Sequence, residues 1–321
     1  MVAALRIVFF GTPAFAVPTL DALLASPHTV VGVVTQPDRP RGRGQHVSDA
    51  PVKARAVGAG LPVLQPERMK DPVFLESLAA WHADLGIVAA YGKILTDVVL
   101  AIPSRGMVNV HASLLPRYRG AAPVHRAVIA GDTETGVTIM RVVTALDAGP
   151  VLAKVRRAIG PDETSEEVER NLAVLGAGLL VSTIDDLAAD RALDTPQDET
   201  ATTYAHKLTK GDGVIDWSWP AVRVHNLIRG LHPWPHAFSF LQGKRCILRR
   251  STVEPAGPHR LREERRPGTI LEAEGDRLIV ATGDGQLRVV EIQAEGKRPM
   301  DVREFLAGHR FTDGDRFTAA P

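Results

Sequence analysis

Three polar side chains, Asn109, His111 and Asp147, form a set that could promote the transfer of an acyl group. Asn109 and His111 lie in the predicted strand MVNVHA (107–112), and Asp147 follows the predicted strand GVTIMRVV (136–143). An amide NH₂ and an imidazolium can both donate to an oxygen that becomes negative, and a carboxylate can take a proton from an attacking nucleophile. Because ligands bind beyond the carboxyl ends of strands in an open α/β sheet, we expect the three residues to meet there.

No serine or cysteine nucleophile accompanies this set, since Ser113 lacks the flanking glycines of a G-x-S-x-G turn. The set itself, which combines oxyanion donors with a base, suits acyl transfer to an amine. Each residue also has a structural alternative. His111 could be a hydrogen-bonded histidine at a strand end, Asn109 a turn cap, and Asp147 an Asx turn before Gly149. The functional interpretation depends on the combination.

The segment SLLPRYRGAAP (113–123) follows the strand as a stiff, positively charged loop, because its two prolines restrict the backbone. Leu114 and Leu115 could line an apolar pocket for a flat heterocycle. Arg117 and Arg119 would then add positive charge at its rim. The alternative is an ordinary loop that leads into a helix, with solvated arginines.

Two basic segments favour contact with phosphate or nucleic acid. The loop TQPDRPRGRGQ (35–45) carries Arg39, Arg41 and Arg43 among glycines. Residues 244–266 contain eight Lys or Arg against three Glu. A small β-barrel with a basic edge is a common type of nucleic-acid binder. The alternatives are a solvated loop and an ordinary charged surface.

Other classes of site lack support in the sequence. It contains neither G-x-G-x-x-G nor G-x-x-x-x-G-K-[ST], and its 11 histidines have no zinc spacing, so we predict no metal. Cys246 is the single cysteine, which excludes an intrachain disulfide and fits a reducing cytoplasm. It is either a reactive thiol beside Lys244 and Arg245 or a small buried residue. We see no signal peptide and no run of about 18 apolar residues, so we expect a cytoplasmic protein without membrane association.

The predicted elements divide the 321 residues into three parts. Residues 1–190 alternate Val- and Ile-rich strands with helix-length segments, which predicts an α/β domain with a mostly parallel sheet. A long helix ends this part and begins at a capping box of Thr164 and Glu167. Residues 191–208 are polar, as a linker is, and residues 209–321 contain short strands between glycine turns, typical of a small antiparallel barrel.

Together these motifs resemble the methionyl-tRNA formyltransferases, a branch of the folate-dependent formyltransferase family. The resemblance runs in order from about residue 5 to about residue 310 and rests on GTPAFAVPTLDALL, VVTQPDRPRGRGQ, NVHASLLPRYRGAAPVHRAVIAGDTETGVTIM, LDAGPVL, TYAHKLTKGDGVIDW and HPWPHAF. The pattern NVH-x-SLLP-x-x-RG with a downstream LD-x-G is specific for formyl transfer but not for the acceptor. The arginine-rich insert and the HPWP segment favour the tRNA branch.

The resemblance implies a Rossmann-like N-terminal domain and a C-terminal barrel that resembles an OB-fold. It implies 10-formyltetrahydrofolate as the donor and initiator methionyl-tRNA as the acceptor, and we expect a monomer. The family's catalytic residues match Asn109, His111 and Asp147. Its folate-contacting segment matches Ser113, Leu114, Leu115 and Pro116. The arginine that probes the acceptor end of the tRNA matches Arg43, and Arg39 and Arg41 of the same insert are expected to assist it.

Two departures from the family pattern are visible. Val143 stands where the family has an acidic residue, and Ala145 where it has a glycine.

Three rival functions keep the fold: formyl transfer to a small amine, hydrolysis of formyl-folate with water as the nucleophile, and RNA binding without catalysis. The first two would use the same three catalytic groups, whereas the third would not need them.

Overall fold

The computed structural model of the protein describes residues 4–38, 40–41, 46–255, 266–312 and 314–321. The chain forms two compact units, each assembled from several segments. The first comprises Met1–Pro123, Glu134–Arg157 and Glu169–Ala205, and the second comprises Val124–Thr133, Ala158–Val168 and His206–Pro321. The predicted domain boundaries at residues 190 and 208 stay a prediction.

The first unit is built on a seven-stranded sheet. Its strands are β1 (Arg6–Gly11), β2 (Thr29–Val34), β5 (Val63–Leu64), β6 (Leu85–Ala89), β7 (Met107–His111), β9 (Glu134–Arg141) and β10 (Val151–Ala158). They lie in the order β10-β9-β7-β6-β1-β2-β5. A separate antiparallel pair is formed by β3 (Pro40–Arg41) and β4 (His46–Val47).

After the exposed Arg6, strand β1 is buried on both faces, which is why the rest of its sequence is apolar. Phe9 and Phe10 are fully buried, and Phe10 packs edge-on against Tyr91 with ring centroids 5.4 Å apart. The pairings of β1 with β2, β1 with β6, β2 with β5 and β6 with β7 are parallel. The predicted mostly parallel α/β sheet is thus confirmed. Strand β9, however, runs antiparallel to β7.

Helices connect these strands, and the long helix predicted to begin near residue 164 is among them. They are α1 (Val17–Leu24), α2 (Pro51–Gly58), α3 (Pro72–Ala79), α4 (Asp97–Leu100), α5 (Pro123–Ala130) and α6 (Ser165–Ala188). The capping box before α6 is present, because the Thr164 N–H donates to Glu167 Oε2 at 2.8 Å and the Glu167 N–H donates to Thr164 Oγ1 at 3.4 Å. These reciprocal bonds use two N–H groups that a helix start leaves without intrahelical partners.

Helix α6 contains no uninterrupted run of about 18 apolar residues, yet by average hydropathy it meets the length and composition criterion for a membrane span. By length and composition Ser165–Ala188 meets that criterion, at a mean hydropathy of 1.4 over its best window. Half of this window is buried inside the protein. Leu172, Leu180 and Ile184 are fully buried while Val174 is exposed, so the helix has one apolar face, as a core helix does.

The second unit contains the C-terminal sheet. Its strands are β12 (Ala237–Leu241), β13 (Lys244–Glu254), β14 (Ile270–Glu274), β15 (Arg277–Ala281), β16 (Gln286–Ala294), β17 (Met300–Asp301) and β18 (Phe317–Thr318). Neighbouring strands pair antiparallel in the order β14-β15-β16-β13-β12-β18, and β17 pairs with β16. Helices α7 (Ala221–Gly230) and α8 (Val302–Ala307) belong to the same unit.

The two edges of this sheet meet. The Ile270 N–H donates to the Asp315 carbonyl at 2.9 Å, and the Phe317 N–H donates to the Gly268 carbonyl at 2.8 Å. The strands therefore curl into a barrel-like sheet, as the even spacing of short strands and glycine turns predicted.

The polar segment interpreted as a linker is ordered against the first unit. Thr195 exchanges two backbone hydrogen bonds with Val151, at 2.7 and 2.9 Å. Further along, β11 (Tyr204–Ala205) pairs in parallel with β8 (Arg119–Gly120). Some of its polar side chains bond to the first unit, since Asp194 pairs with Arg141 and both Gln197 and Glu199 bind Arg119.

Candidate active site

Asn109 and His111 project from the same face of β7, since side chains two residues apart share a face of a strand. Asn109 is half-buried, and its amide makes no hydrogen bond to any residue in the described ranges. An amide inside a protein normally has a partner. The Asn109 NH₂ is thus available as a donor to a substrate.

The His111 ring is buried between two acceptors. Nε2 donates to the Tyr118 carbonyl at 3.0 Å, and because a carbonyl can only accept, this bond places a hydrogen on Nε2. Nδ1 lies 3.7 Å from Asp147 Oδ2, longer than a hydrogen bond. Nδ1 is therefore the ring nitrogen that a bound substrate could engage.

Asp147 reaches this ring from the turn that joins β9 to β10. Its Oδ2 accepts a hydrogen bond from the Gly120 N–H at 2.8 Å, and its side chain is 15% exposed. Among the described residues, its second carboxylate oxygen makes no hydrogen bond. Asp147 has a φ of 48°, a left-handed conformation that aspartate tolerates better than most residues.

His111 and Asp147 meet as predicted, and Asn109 lies on the same face of β7 as His111, but the expected route was wrong. Because β9 is antiparallel to β7, its carboxyl end lies opposite the start of β7, with Arg141 beside Val108. The β9–β10 turn must therefore fold back toward His111. Gly149 permits this turn, since a Cβ there would lie 1.9 Å from the Arg141 carbonyl oxygen.

Gly120 is needed for a similar reason. Its φ is +118°, and a Cβ would meet the Ala205 carbonyl oxygen of β11 at 2.9 Å. A glycine can adopt this conformation so close to β11, and its N–H is the one that reaches Asp147. The glycines of the RG and DAG motifs thus shape the site, while Asn109, His111 and Asp147 supply its chemistry.

Arg119 was predicted to add positive charge at the rim of the pocket. The structure places it inside the protein instead. It is 3% exposed, and it forms two hydrogen bonds with the Glu199 carboxylate, at 2.7 and 3.0 Å. This pairing raises the pKa of Arg119 and lowers the pKa of Glu199. Since Glu199 compensates its charge, Arg119 contributes little positive charge to the site. Arg117, in contrast, is exposed.

Gln197 is a residue of the site that the sequence analysis missed. Its Nε2 donates to the backbone carbonyls of Asp147 and Gly149, each at 2.8 Å. Its Oε1 accepts from Arg119. The only signal in the sequence was a polar side chain in a predicted linker, which does not point to any partner.

The segment matched to folate contacts is held rigidly by its own hydrogen bonds. Ser113 is fully buried, with Oγ donating to the Arg117 carbonyl at 2.6 Å, and Leu115 is 1% exposed. Only Leu114 and Pro116 of the four residues present side-chain surface. A Cβ at Gly136 would lie 2.6 Å from Leu114, so a glycine in β9 makes room for that side chain. The role of this segment in folate binding stays a prediction.

The predicted tRNA contacts of the insert are only partly covered by the structure. Arg41 belongs to β3, whereas Arg39 and Arg43 lie outside the described residues. In the barrel, Arg249 pairs with Glu291 and Arg250 with Glu167, each at 2.8 Å. These ion pairs neutralise part of the basic surface predicted there.

Two further predictions concern metals and the cysteine. Within the described part of the chain, no group of three or more His, Cys, Asp or Glu side chains could hold a metal ion. Cys246 is 3% exposed, and burial raises the pKa of its thiol to about 11. The thiol therefore stays protonated at neutral pH, which favours the structural interpretation over the reactive one.

Comparison with known proteins covers nearly the whole chain. Residues 5–184 match the formyl transferase family, and residues 207–310 match the formyl transferase C-terminal domain. The methionyl-tRNA formyltransferase of Moorella thermoacetica is 46% identical over 312 residues, which are 97% of this chain and 98% of that protein. That of Desulfotalea psychrophila is 48% identical over 305 residues, 95% of this chain and 93% of that protein.

Solved structures share the fold at low identity. An N-formyltransferase from Helicobacter canadensis, in complex with folinic acid and dTDP-3-aminofucose, has a TM-score of 0.67 at 16% identity and covers 91% of this chain and 100% of its own. HypX from Aquifex aeolicus, in complex with tetrahydrofolic acid, has a TM-score of 0.64 at 15% identity, covering 95% of this chain and 47% of its own. From its two domain matches and its relatives at 46–48% identity, the chain belongs to the formyl transferase family, among the methionyl-tRNA formyltransferases.

Proposed function

We propose that this enzyme transfers the formyl group of 10-formyltetrahydrofolate to the α-amine of methionine on initiator tRNA. The product is the N-formylmethionyl-tRNA used in translation initiation. The observation that carries the proposal is the group formed by the Asn109 amide, the His111 imidazole and the Asp147 carboxylate. The acceptor is inferred from full-length relatives that are named methionyl-tRNA formyltransferase.

In the proposed reaction the amine nitrogen attacks the formyl carbon and displaces N10 of the folate. The Asn109 NH₂ donates to the carbonyl oxygen as it becomes negative, and so does Nδ1–H of His111 in its imidazolium form, in which both ring nitrogens carry a hydrogen. Asp147 accepts the proton that the amine loses, directly or through water, and N10 gains one proton as tetrahydrofolate leaves. With Nε2 held by the Tyr118 carbonyl, the His111 ring cannot turn away from the reacting carbon.

The residues present fit a folate donor. The Asn109 amide has no partner within the described ranges, and Leu114 and Pro116, in the loop that follows β7, expose apolar surface. The loop that carries them is anchored, since the Leu115 N–H donates to Thr138 Oγ1 at 3.1 Å and its carbonyl accepts from Lys154. Relatives of the same fold that bind folinic acid or tetrahydrofolic acid support this choice of donor.

For the acceptor, we propose that the arginine-rich insert, with Arg39, Arg41 and Arg43, and the basic segment of the barrel hold the tRNA. Phosphate contacts of this kind release counterions, so binding should weaken steeply as salt concentration rises. We further propose that the enzyme works as a cytoplasmic monomer without membrane association, where its tRNA and folate substrates are dissolved.

The test is a side-by-side assay of formyl transfer from 10-formyltetrahydrofolate to methionyl-initiator and methionyl-elongator tRNA. Formylation of the initiator tRNA alone is expected. If neither tRNA is formylated while formate is released, the function is hydrolysis of the donor. If only small amines such as aminosugar nucleotides are formylated, the acceptor assignment is wrong.

A further inference from the structure

A single side-chain amide holds the backbone of the turn that carries Asp147. Gln197 Nε2 donates to the carbonyls of Asp147 and Gly149, both at 2.8 Å, so both amide hydrogens are used. Gln197 Oε1 accepts from Nε and Nη2 of Arg119, at 3.1 and 2.8 Å. One side chain thus connects the turn to the strand that contains Arg119.

The direction of the amide follows from its partners. A backbone carbonyl only accepts hydrogen bonds and a guanidinium only donates them. The NH₂ group must therefore face the turn, and the oxygen must face Arg119. A glutamate at this position would satisfy Arg119 but would place acceptors against two carbonyls.

Arg119 is itself held in one orientation. It is buried, and Glu199 binds it through both carboxylate oxygens, which restrains the plane of the guanidinium. Its backbone is restrained as well, because the Arg119 N–H donates to the Thr203 carbonyl at 2.9 Å. The Gln197 amide therefore rests on a rigid support.

The same short strand also holds the carboxylate of Asp147. Gly120, the neighbour of Arg119 in β8, donates its N–H to Asp147 Oδ2. Gln197 holds the backbone of Asp147, and Gly120 holds the Asp147 side chain. Both bonds restrain a residue whose φ lies in the left-handed region. One anchor is Gly120 of β8, and the other is Gln197, which is bound to Arg119 of β8. Together they determine where the carboxylate lies relative to His111.

We propose that Gln197 is a positioning residue for formyl transfer, which keeps the Asp147 carboxylate in place beside His111. The proposal rests on the proposed function and adds a residue that does not touch the reacting atoms. A displacement of about 1 Å in a catalytic group can cost about 100-fold in rate. Without Gln197, we expect the turn to relax and the carboxylate to move.

The experiment measures initiator-tRNA formylation by wild type, Gln197→Ala and Gln197→Glu. Both variants should lower kcat by about 10- to 100-fold and change KM for the tRNA and the folate by less than about threefold. Gln197→Glu separates donation to the two carbonyls from mere occupancy of the space. The matched control is Gln293→Ala, which removes an amide that donates to the Lys297 carbonyl in a turn of the barrel and should leave the rate unchanged.

A double-mutant cycle with Asp147→Asn distinguishes positioning from general destabilisation. If Gln197 acts through Asp147, Gln197→Ala in the Asp147→Asn enzyme should cost less than about twofold more. Equal losses in both backgrounds, or a wild-type rate for Gln197→Ala, would overturn the proposal. If the wild-type enzyme formylates no tRNA, the proposed function fails instead, and the thermal unfolding midpoint of each variant shows whether it is folded.

Discussion

Two carboxylates in this molecule have similar neighbours, but they accept different numbers of hydrogen bonds. Asp147, in the first unit, accepts one backbone N–H and lies 3.7 Å from His111 Nδ1. Glu167, in the second unit, accepts from the Thr164 N–H, the Thr164 hydroxyl and Arg250 Nη2, all within 2.8 Å. Each carboxylate has a backbone donor and a basic side chain nearby.

The two carboxylates differ in how much of their hydrogen-bonding capacity remains unused. The bonds to Glu167, above all from Arg250, lower the pKa of its carboxyl to about 2, so it stays ionised and cannot exchange protons near neutral pH. Asp147 keeps one oxygen without a hydrogen bond to any described residue. A carboxylate that stabilises a fold is saturated with donors, whereas one that accepts a substrate proton must be held in place and left partly unsatisfied.

The largest effect is expected for Asp147→Asn. The amide oxygen can still accept from Gly120, so the fold should remain, but the group no longer takes a proton. We expect kcat for formyl transfer to fall by about 10³-fold. Single-turnover formylation of initiator tRNA measures it, and a rate within tenfold of wild type would remove Asp147 from the mechanism.

Next in size is His111→Ala. The substitution removes one donor to the developing oxyanion and leaves Asp147 held by Gly120 and Gln197. Loss of one such donor typically lowers kcat by about 10²- to 10³-fold. Near-normal turnover of this variant, measured in the same assay, would contradict the assignment of the ring.

Glu167→Gln should affect stability and not the reaction. The amide can keep the capping box but loses the charge that pairs with Arg250. Because the Glu167 side chain is 33% exposed, solvent screens the pair, and we expect a loss of about 1 kcal/mol at pH 7. Urea unfolding measures this loss. A drop in formylation rate at saturating substrates would show that the two carboxylates are not as different as proposed.

The smallest expected effect is the pH dependence of the stability that Glu167→Gln loses. The pKa of Glu167 is lower in the folded protein, about 2, than its ordinary value of 4.5, so its contribution to stability is complete above about pH 4.5. As pH falls toward 2 the contribution disappears. The stability difference between wild type and Glu167→Gln should therefore shrink when unfolding is followed at pH 7, 5 and 3.5. A constant difference would mean that the pair with Arg250 does not set this pKa.

The residues around these carboxylates show how far a sequence can be interpreted. The capping box of Thr164 and Glu167 was predictable, because its partners are three residues apart. Its third partner, Arg250, lies 83 positions away and was not. The buried strands were likewise recognised from apolar runs, but such a run has no direction, so the antiparallel course of β9 escaped prediction.

Arg119 illustrates the same limit. In the sequence it stands in a loop rich in arginine and proline, where an exposed cation is the ordinary expectation. Its partners Gln197 and Glu199 lie 78 and 80 positions further along, in a segment whose polarity indicated a linker. Burial of a charge depends on a partner that no local pattern identifies.

The sequence by itself determined the alternation of strands and helices, the capping box at Thr164 and Glu167, and the chemical types of Asn109, His111 and Asp147. These follow from backbone sterics and side-chain periodicity, which act over a few residues. Only the tertiary structure decided that the β9–β10 turn folds back to His111, that Arg119 is buried, and that Gln197 holds the turn. Each of these depends on hydrogen bonds between residues far apart in the chain, and such bonds exist only once the sheet and its loops have been assembled.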